Sequence, residues 1–249
     1  MCETVPHSEQ LSGKIAVVTG GSRGIGFAIA EALVPLGVDV VLSGRSREGL
    51  ESAQSRLEQA ATLKGSGRVA IAQGDLRDSL HAEQAIETAV NRFGGLDILV
   101  NNAGVGRFKN VVDQSVEEWK EVLETNLHAV FFCCQAAIPV MRGRGGGWII
   151  NISSLAGGHP FAGGAAYCAS KAGLDAFTTA LMQELRQHDI RVSSIAPGSV
   201  STSFGGGTIH ETAPWKLTAT DVAGAVTDVL RHEKRSLPSR VEIRPSKPS

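Results

Sequence analysis

The sequence predicts an α/β protein built on a doubly wound parallel sheet of about seven strands with helices on both faces. Three observations carry that expectation. Short β-branched runs alternate with longer stretches of helical period along the chain, which is the pattern of strands linked by crossover helices. The short runs are nearly continuous in apolar residues, as strands covered on both faces are. The first of them runs directly into a glycine-rich turn, T-G-G-S-R-G-I-G at Thr19–Gly26, and then into an amphipathic stretch.

Composition bounds the function. Glycine supplies 29 of 249 residues, and 42% of the chain is hydrophobic, which excludes disorder as the main state. A chain of this length can still form one core. The net charge of −1 gives no electrostatic case for a nucleic-acid partner.

Taken in order, Met1–Gln10 carries acids and a proline instead of a basic stretch followed by an apolar one, so it does not read as a signal peptide. A tail over residues 1–12 and one domain over 13–249 are expected, with no linker or internal repeat. Strands are expected at Ile15–Thr19, Val38–Ser43, Val69–Gln73, Ile98–Asn101, Trp148–Ile152, Val192–Ile195 and Val241–Ile243, where β-branched residues cluster. Helices are expected at Gly24–Leu36, Arg47–Ala61, Ser79–Phe93, Val116–Val140, Tyr167–His188 and Thr220–Arg231. Gly37 stands where a left-handed helix cap is wanted, and Ser79 and Ser115 are candidate N-caps. The most apolar stretch, Ala129–Met141, contains Gln135 and Pro139 and falls short of the ~18 residues of a membrane span. No membrane partner is expected, and a cytoplasmic location is. Cys2, Cys133, Cys134 and Cys168 lack metal-ligand spacing with histidines, so they read as buried or surface thiols and no metal is expected.

The chemistry begins at the first turn. Gly20, Gly24 and Gly26 let the backbone turn tightly, approach a pyrophosphate and seat the helix on the sheet, and the helix N-terminus offers N–H groups to phosphate. The spacing G-x-x-x-G-x-G differs from the general G-x-G-x-x-G fingerprint. Tyr167 and Lys171 are four apart, so on a helix they share a face. An ammonium near a phenol favours the phenolate, bringing its pKa from ~10 toward neutrality and making it a usable acid and base. Ser154 closes an I-S-S run at the end of the fifth strand, where open parallel sheets form their ligand crevice.

Beside the glycine turn stand N-N-A-G at Asn101–Gly104, Y-C-A-S-K at Tyr167–Lys171 and P-G-S-V-S-T at Pro197–Thr202. With these segments in this order, and Ser154 thirteen residues before Tyr167, the chain resembles the short-chain dehydrogenase/reductase family over almost its whole length. The resemblance implies a Rossmann-type fold in which Tyr167 donates the proton in carbonyl reduction and Lys171 lowers its pKa and binds the nicotinamide ribose. Ser154 would position the carbonyl oxygen, and Asn126, in E-T-N-L, would complete a proton relay through water and Lys171. Ser153 reads as the structural serine of the pair. The same resemblance implies cofactor contacts from Gly20, Ser22, Arg23, Gly24, Ile25 and Gly26, and from Asn102, Ala103 and Gly104 beneath the adenosine. Asp75 would accept the adenine amino group, with Leu76 against the ring, while Pro197, Gly198, Val200 and Thr202 would receive the nicotinamide end.

An NAD-preferring chain usually carries an acid after its second strand. Here Gly44 occupies that position, Arg45 follows, and Arg23 sits in the glycine turn. Two guanidinium groups suit a 2′-phosphate, so NADP(H) is expected over NAD(H).

Substrate choice falls to the loops Val105–Val112, Leu155–Gly164 and Ser203–Leu217. They supply Phe108, His159, Phe161, Phe204 and Trp215 to an apolar pocket, under a short, open lid near 203–217 containing Gly205–Gly207. Within the family the resemblance is nearest to bacterial 3-oxoacyl-acyl-carrier-protein reductases, which implies an acyl-thioester substrate as one possibility and a smaller carbonyl compound as another. An acidic carrier needs basic residues near the cleft. Arg142, Arg144, Arg186 and His188 are candidates, equally readable as solvated helix ends. The C-terminal V-E-I-R-P-S-K-P-S departs from the D-G-G ending of many such reductases. A homodimer or homotetramer paired through the helices of Asn126 and Tyr167 is expected by resemblance. A non-catalytic NADP(H)-binding sensor is the alternative of another class, which has no need of Ser154, Tyr167 and Lys171 together.

Overall fold

The computed structural model describes residues 11–61, 65–206 and 214–247. Its strands are β1 (Ile15–Thr19), β2 (Asp39–Gly44), β3 (Val69–Gln73), β4 (Ile98–Asn101), β5 (Gly147–Ile152), β6 (Ile190–Pro197) and β7 (Arg240–Ile243). All pair in parallel in one sheet of order β3-β2-β1-β4-β5-β6-β7. The chain winds outward from β1 to β3, returns to place β4 on the other side of β1, and winds outward again to β7. Crossovers therefore diverge above the carboxyl ends of β1 and β4, and a crevice opens there.

The helices are α1 (Gly24–Leu33), α2 (Arg47–Ala60), α3 (Ser79–Phe93), α4 (Val116–Leu123), α5 (Ala129–Gly143), α6 (Ala165–Leu185) and α7 (Ala219–Leu230). Successive residues of β1 point to opposite faces. Ala16 and Val18 join the core that contains Ile29, Leu33 and Val226 of α1 and α7, while Ile15 and Val17 join the one that contains Ile86, Met141 and Leu174 of α3, α5 and α6. Two covered faces are why the strand sequences show no polar alternation. Leu11, expected in the tail, is 4% exposed and belongs to the first of these cores; residues 1–10 of that tail lie outside the described residues.

The structure alters several boundaries. Asp78, not Ser79, caps α3, its carboxylate accepting the Leu80 N–H at 3.0 Å. Ser115 does cap α4, in a reciprocal box with Glu118. Gly37 takes the left-handed conformation at φ +79°, after a 3₁₀ turn that replaces the last expected turn of α1. The helix expected over 116–140 is divided: a π-helical turn, Glu124–His128, separates α4 from α5. Such a turn shifts the helical register within a continuous rod and recurs at functional sites. Cys133, Cys134 and Cys168 are buried free thiols, whereas Cys2 lies outside the described residues. Burial pushes Cys133 up to about 12 and Cys134 higher still. No described helix is long and apolar enough to cross a membrane.

Candidate active site

The crevice above β1 and β4 is a cleft of about 590 Å³. Its floor is stitched together by Thr19 and Asn102, the last residue of β1 and the residue after β4. Thr19 Oγ1 accepts the N–H groups of Asn102 (2.9 Å) and Ala103 (3.0 Å), and Asn102 Nδ2 donates to the Thr19 carbonyl (2.9 Å) and the Gly20 carbonyl (3.3 Å). The glycine turn closes over this brace. Gly20 has φ +64° and Gly24 φ +58°, a region that side chains disfavour. On Gly26 a Cβ would strike the Gly20 carbonyl and lie 2.5 Å from Asn102 Nδ2. Gly26 thus lets α1 seat against the turn and does not itself line the cleft. Alone among α1, α2, α3, α4 and α7, helix α1 opens with neither a side-chain cap nor an acid in its first turn.

Every other sequence-predicted site residue except Asn126 lines this cleft: Gly20, Ser22, Arg23, Gly24 and Ile25, Arg45, Asp75 and Leu76, Asn102, Ala103 and Gly104, Ser154, Tyr167 and Lys171, and Pro197, Gly198, Val200 and Thr202. Arg23 and Arg45 are exposed on its wall and form no ion pair among the described residues. Asp75 is different. Both its oxygens already accept from Arg77, through the backbone N–H (3.1 Å), Nε (3.0 and 3.1 Å) and a terminal guanidinium nitrogen (2.6 Å). That hydrogen-bonding by Arg77 holds its pKa below the ordinary carboxylate value, and the charge of Arg45 adds to the effect.

Tyr167 lies in the first turn of α6, which begins two residues earlier than expected. Lys171, one turn on, is 5% exposed and donates from Nζ to the Ile152 carbonyl at 2.8 Å. Burial pulls it down to about 8, with the charge of Asp175 opposing. Its Nζ stands 5.9 Å from the centre of the Tyr167 ring. The sequence reading looks to this ammonium to draw the phenol's pKa down; in the cleft burial raises it, and the pull in the other direction comes from a hydrogen bond with Ser154. Desolvation weakens both charged forms in this pocket. Ser154 Oγ also accepts the Ala156 N–H at 3.1 Å.

Two more expectations change. Asn126 is fully buried in the π turn, and its carboxamide is committed elsewhere. Oδ1 accepts the Val105 N–H (2.8 Å), and Nδ2 donates to the Val105 carbonyl (2.9 Å) and Ser170 Oγ (3.0 Å). Its neighbours Thr125 and Ala129 line the cleft instead. Ser153, read as structural, is 3% exposed, lines the cleft, and its Oγ has no partner among the described residues. The N-I-S-S doublet placed both serines at the strand end, but spacing from Tyr167 singled out only one. Sequence reasoning also missed the buried chain Asn101–Asn151–Thr178, whose 2.8 Å links tie β4 to β5 and to α6 beneath the site.

Of the expected apolar residues, Phe108 and Phe204 pack against Tyr167 with ring centres 5.6 and 5.5 Å away, and Phe161 packs on Phe108 at 5.9 Å. His159 is exposed and neither it nor Trp215 lines the cleft. Of the expected lid, residues 207–213 lie outside the described residues. The basic docking candidates sit at the wrong edge. Arg142 and Arg144 end α5, and Arg186 and His188 follow α6, just before β5 and β6 begin, so all four stand at the amino edge of the sheet. Arg144 pairs there with Asp97 at 3.1 Å. Among the described residues no group of three or more histidine, cysteine, aspartate or glutamate side chains is placed to hold a metal.

A model of the short chain dehydrogenase family matches residues 14–212. An uncharacterized oxidoreductase of Staphylococcus aureus is 34% identical over 235 residues, covering 94% of this chain and 98% of the relative. One of Staphylococcus saprophyticus is 35% identical over 239 residues, covering 95% and 99%. Among solved structures, a metagenomic short-chain oxidoreductase in complex with NADP is similar at TM-score 0.82 and 38% identity, covering 96% of this chain and 100% of that one. An alcohol dehydrogenase from the archaeon Thermococcus sibiricus, complexed with 5-hydroxy-NADP, is similar at TM-score 0.87 and 30% identity, covering 95% and 99%.

Proposed function

This chain belongs to the short-chain dehydrogenase family of oxidoreductases, and we propose that it transfers a hydride between NADP(H) and a carbonyl or secondary-alcohol substrate, with Tyr167 as general acid and base. The observation that carries this reading is the meeting of Ser154, Tyr167 and Lys171 with the glycine turn in one cleft. A sensor needs no such trio, and nothing in the cleft favours that alternative.

The residues present fit a dinucleotide. The uncapped N-terminus of α1 leaves N–H groups and a positive dipole end for the pyrophosphate. Arg23 and Arg45 are free to pair with a 2′-phosphate, and two relatives of known structure carry NADP or a derivative of it. The unpartnered Ser153 Oγ supplies one further polar contact in the cleft. When bound, the nicotinamide gives or takes the hydride.

Around it, Tyr167 passes its phenolic proton to the developing alkoxide, and Ser154 donates a hydrogen bond to the same oxygen. Lys171 holds the ribose hydroxyls and, as an ammonium below about pH 8, stabilises the phenolate left behind. Asn126 acts at one remove, fixing the Val105 backbone and Ser170. Asp75, locked by Arg77, presents a lone pair at the adenine end. A small carbonyl substrate is favoured over a carrier-protein thioester, because the basic docking candidates stand at the far edge of the sheet. We place self-association at α5 and α6, where Phe131 is 45% exposed and meets Phe177 at 6.4 Å.

The test is Tyr167→Phe assayed by NADPH oxidation across ketones, β-ketoesters and acyl thioesters, with Kd measured for NADP and NAD. Loss of turnover with NADP binding intact is expected. Unchanged turnover in the variant, or NAD binding as tightly as NADP in the parent, would refute the corresponding half of the reading.

A further inference from the structure

Phe108, Phe161 and Phe204 come from three different loops and meet beside the reactive phenol. Each is large, apolar and half-exposed, at 46%, 49% and 41%. Exposed apolar side chains gathered at one point mark a binding surface. Phe108 is the hub. Its ring stands edge-on to Tyr167 at 74°, to Phe204 at 62° and 6.3 Å, and tilted to Phe161 at 43°. Glycines make room for these rings: a Cβ on Gly106 would lie 2.8 Å from both the Phe108 and Phe204 rings, one on Gly205 2.8 Å from Phe108, and one on Gly164 2.5 Å from Phe161.

Phe204 is the ring that can yield. It sits in a one-turn 3₁₀ segment beside Gly205 at φ +72°, and its N–H reaches Thr202 Oγ1 at a long 3.4 Å. Phe204 also lines the cleft directly. A planar ring in its place would inherit the tilted contact with Tyr167 at 5.5 Å and the edge contact with Phe108. A saturated ring of equal size would fill the volume without the quadrupole these geometries serve. The nearby cations Arg107 and Lys109 are already paired with Glu121 (2.9 Å) and Glu118 (2.6 Å), so nothing here calls for an anionic substituent.

We propose that the substrate is a neutral aryl ketone, or the corresponding aryl carbinol, whose ring displaces Phe204 and stacks into the corner formed by Phe108 and Tyr167. This rests on the oxidoreductase reading above and names its substrate class.

Acetophenone and cyclohexyl methyl ketone are matched in size and differ in aromaticity. Each is titrated by calorimetry into the protein–NADP⁺ complex and assayed separately for NADPH oxidation. Two aromatic contacts, to Phe108 and to Tyr167, predict that acetophenone binds and turns over about tenfold better, and that Phe108→Leu, which keeps the apolar bulk and removes one of the two, cuts the ratio to about threefold. Equal binding of the two ketones by the parent protein, no binding of acetophenone, or a preference undiminished by Phe108→Leu overturns the proposal. A binding preference for acetophenone without NADPH oxidation overturns the assignment of the aryl ketone as substrate, whereas oxidation that persists in Tyr167→Phe leaves the ring site standing and refutes the chemistry assigned to Tyr167.

Discussion

Replacing Lys171 by methionine is expected to make the protein more stable and nearly inactive. The side chain is 5% exposed, and burial lowers its pKa from 10.5 to about 8. At about 1.4 kcal/mol per pKa unit, holding that ammonium in the folded state costs about 3 kcal/mol at neutral pH. The hydrogen bond from Nζ to the Ile152 carbonyl returns about 1 kcal/mol, so methionine, which fills a similar volume, should stabilise the fold by about 2 kcal/mol. For a domain of this size that raises Tm by about 5 °C.

The pH dependence identifies the cause. Between about 8 and 10.5 the unfolded lysine is protonated while the folded one loses its proton, so the unfolded state binds more protons and wild-type stability rises with pH across that window. Below it, the cost is constant and fully present. The stability gap between Lys171→Met and the parent should therefore narrow by about 2 kcal/mol between about pH 7 and about pH 9.5. Urea unfolding followed by tryptophan fluorescence at several pH values measures it, and turnover should fall at least about a hundredfold. A variant less stable than the parent at neutral pH, or a gap that does not move with pH, would refute the reasoning.

Arg45→Ala should weaken NADP binding about tenfold by removing a charge-assisted contact to the 2′-phosphate and leave NAD binding within about twofold; fluorescence titration with both cofactors checks this. Gly26→Ala places a Cβ against the Gly20 carbonyl and Asn102 Nδ2, so thermal unfolding should show a loss of about 1–3 kcal/mol, accompanied by weaker NADP binding as the turn is pushed open. Asn126→Ala strands the part-buried Val105 N–H and carbonyl that the carboxamide now satisfies. A stability loss of about 3 kcal/mol is expected in urea unfolding, with kcat falling and the Kd for NADP little changed.

The fold was legible because its signals are local. A run such as Ile15–Thr19, with all five residues buried, announces itself as a strand, and the turn that follows announces its tight, left-handed conformation by its glycines. The site was legible as a set of positions for the same reason: nearly all of them lie at strand ends or in the first turn of a helix, and the parallel topology brings those places to one edge. The environment of each position was not legible. Asp75 is read by resemblance as an acceptor for the adenine amino group, and nothing in that reading shows that Arg77, two residues on, already holds its carboxylate. Asn126 reads as part of one long helix, and the π turn that buries its carboxamide is stabilised by Ser170, 44 residues away. Ser153 and Ser154 differ in the sequence only in their spacing from Tyr167, while the structure leaves one hydroxyl unpartnered and caps a turn with the other.

The sequence by itself determined the strands and helices, the glycine turn, the tyrosine–lysine pair on one helical face and the place of the arginines after β1 and β2, since each depends on backbone preferences and spacings within a few residues. Only the tertiary structure decided how strongly Lys171 is desolvated, that burial raises the Tyr167 pKa, that the basic helix ends face away from the cleft, and that Phe108 and Phe204 from separate loops pack on the phenol with Phe161 behind Phe108. Burial and pairing are set by atoms brought together across the fold, as when Arg144 and Asp97, 47 residues apart, share one ion pair, and no pattern within a local window encodes the dielectric or the partners a side chain will meet there.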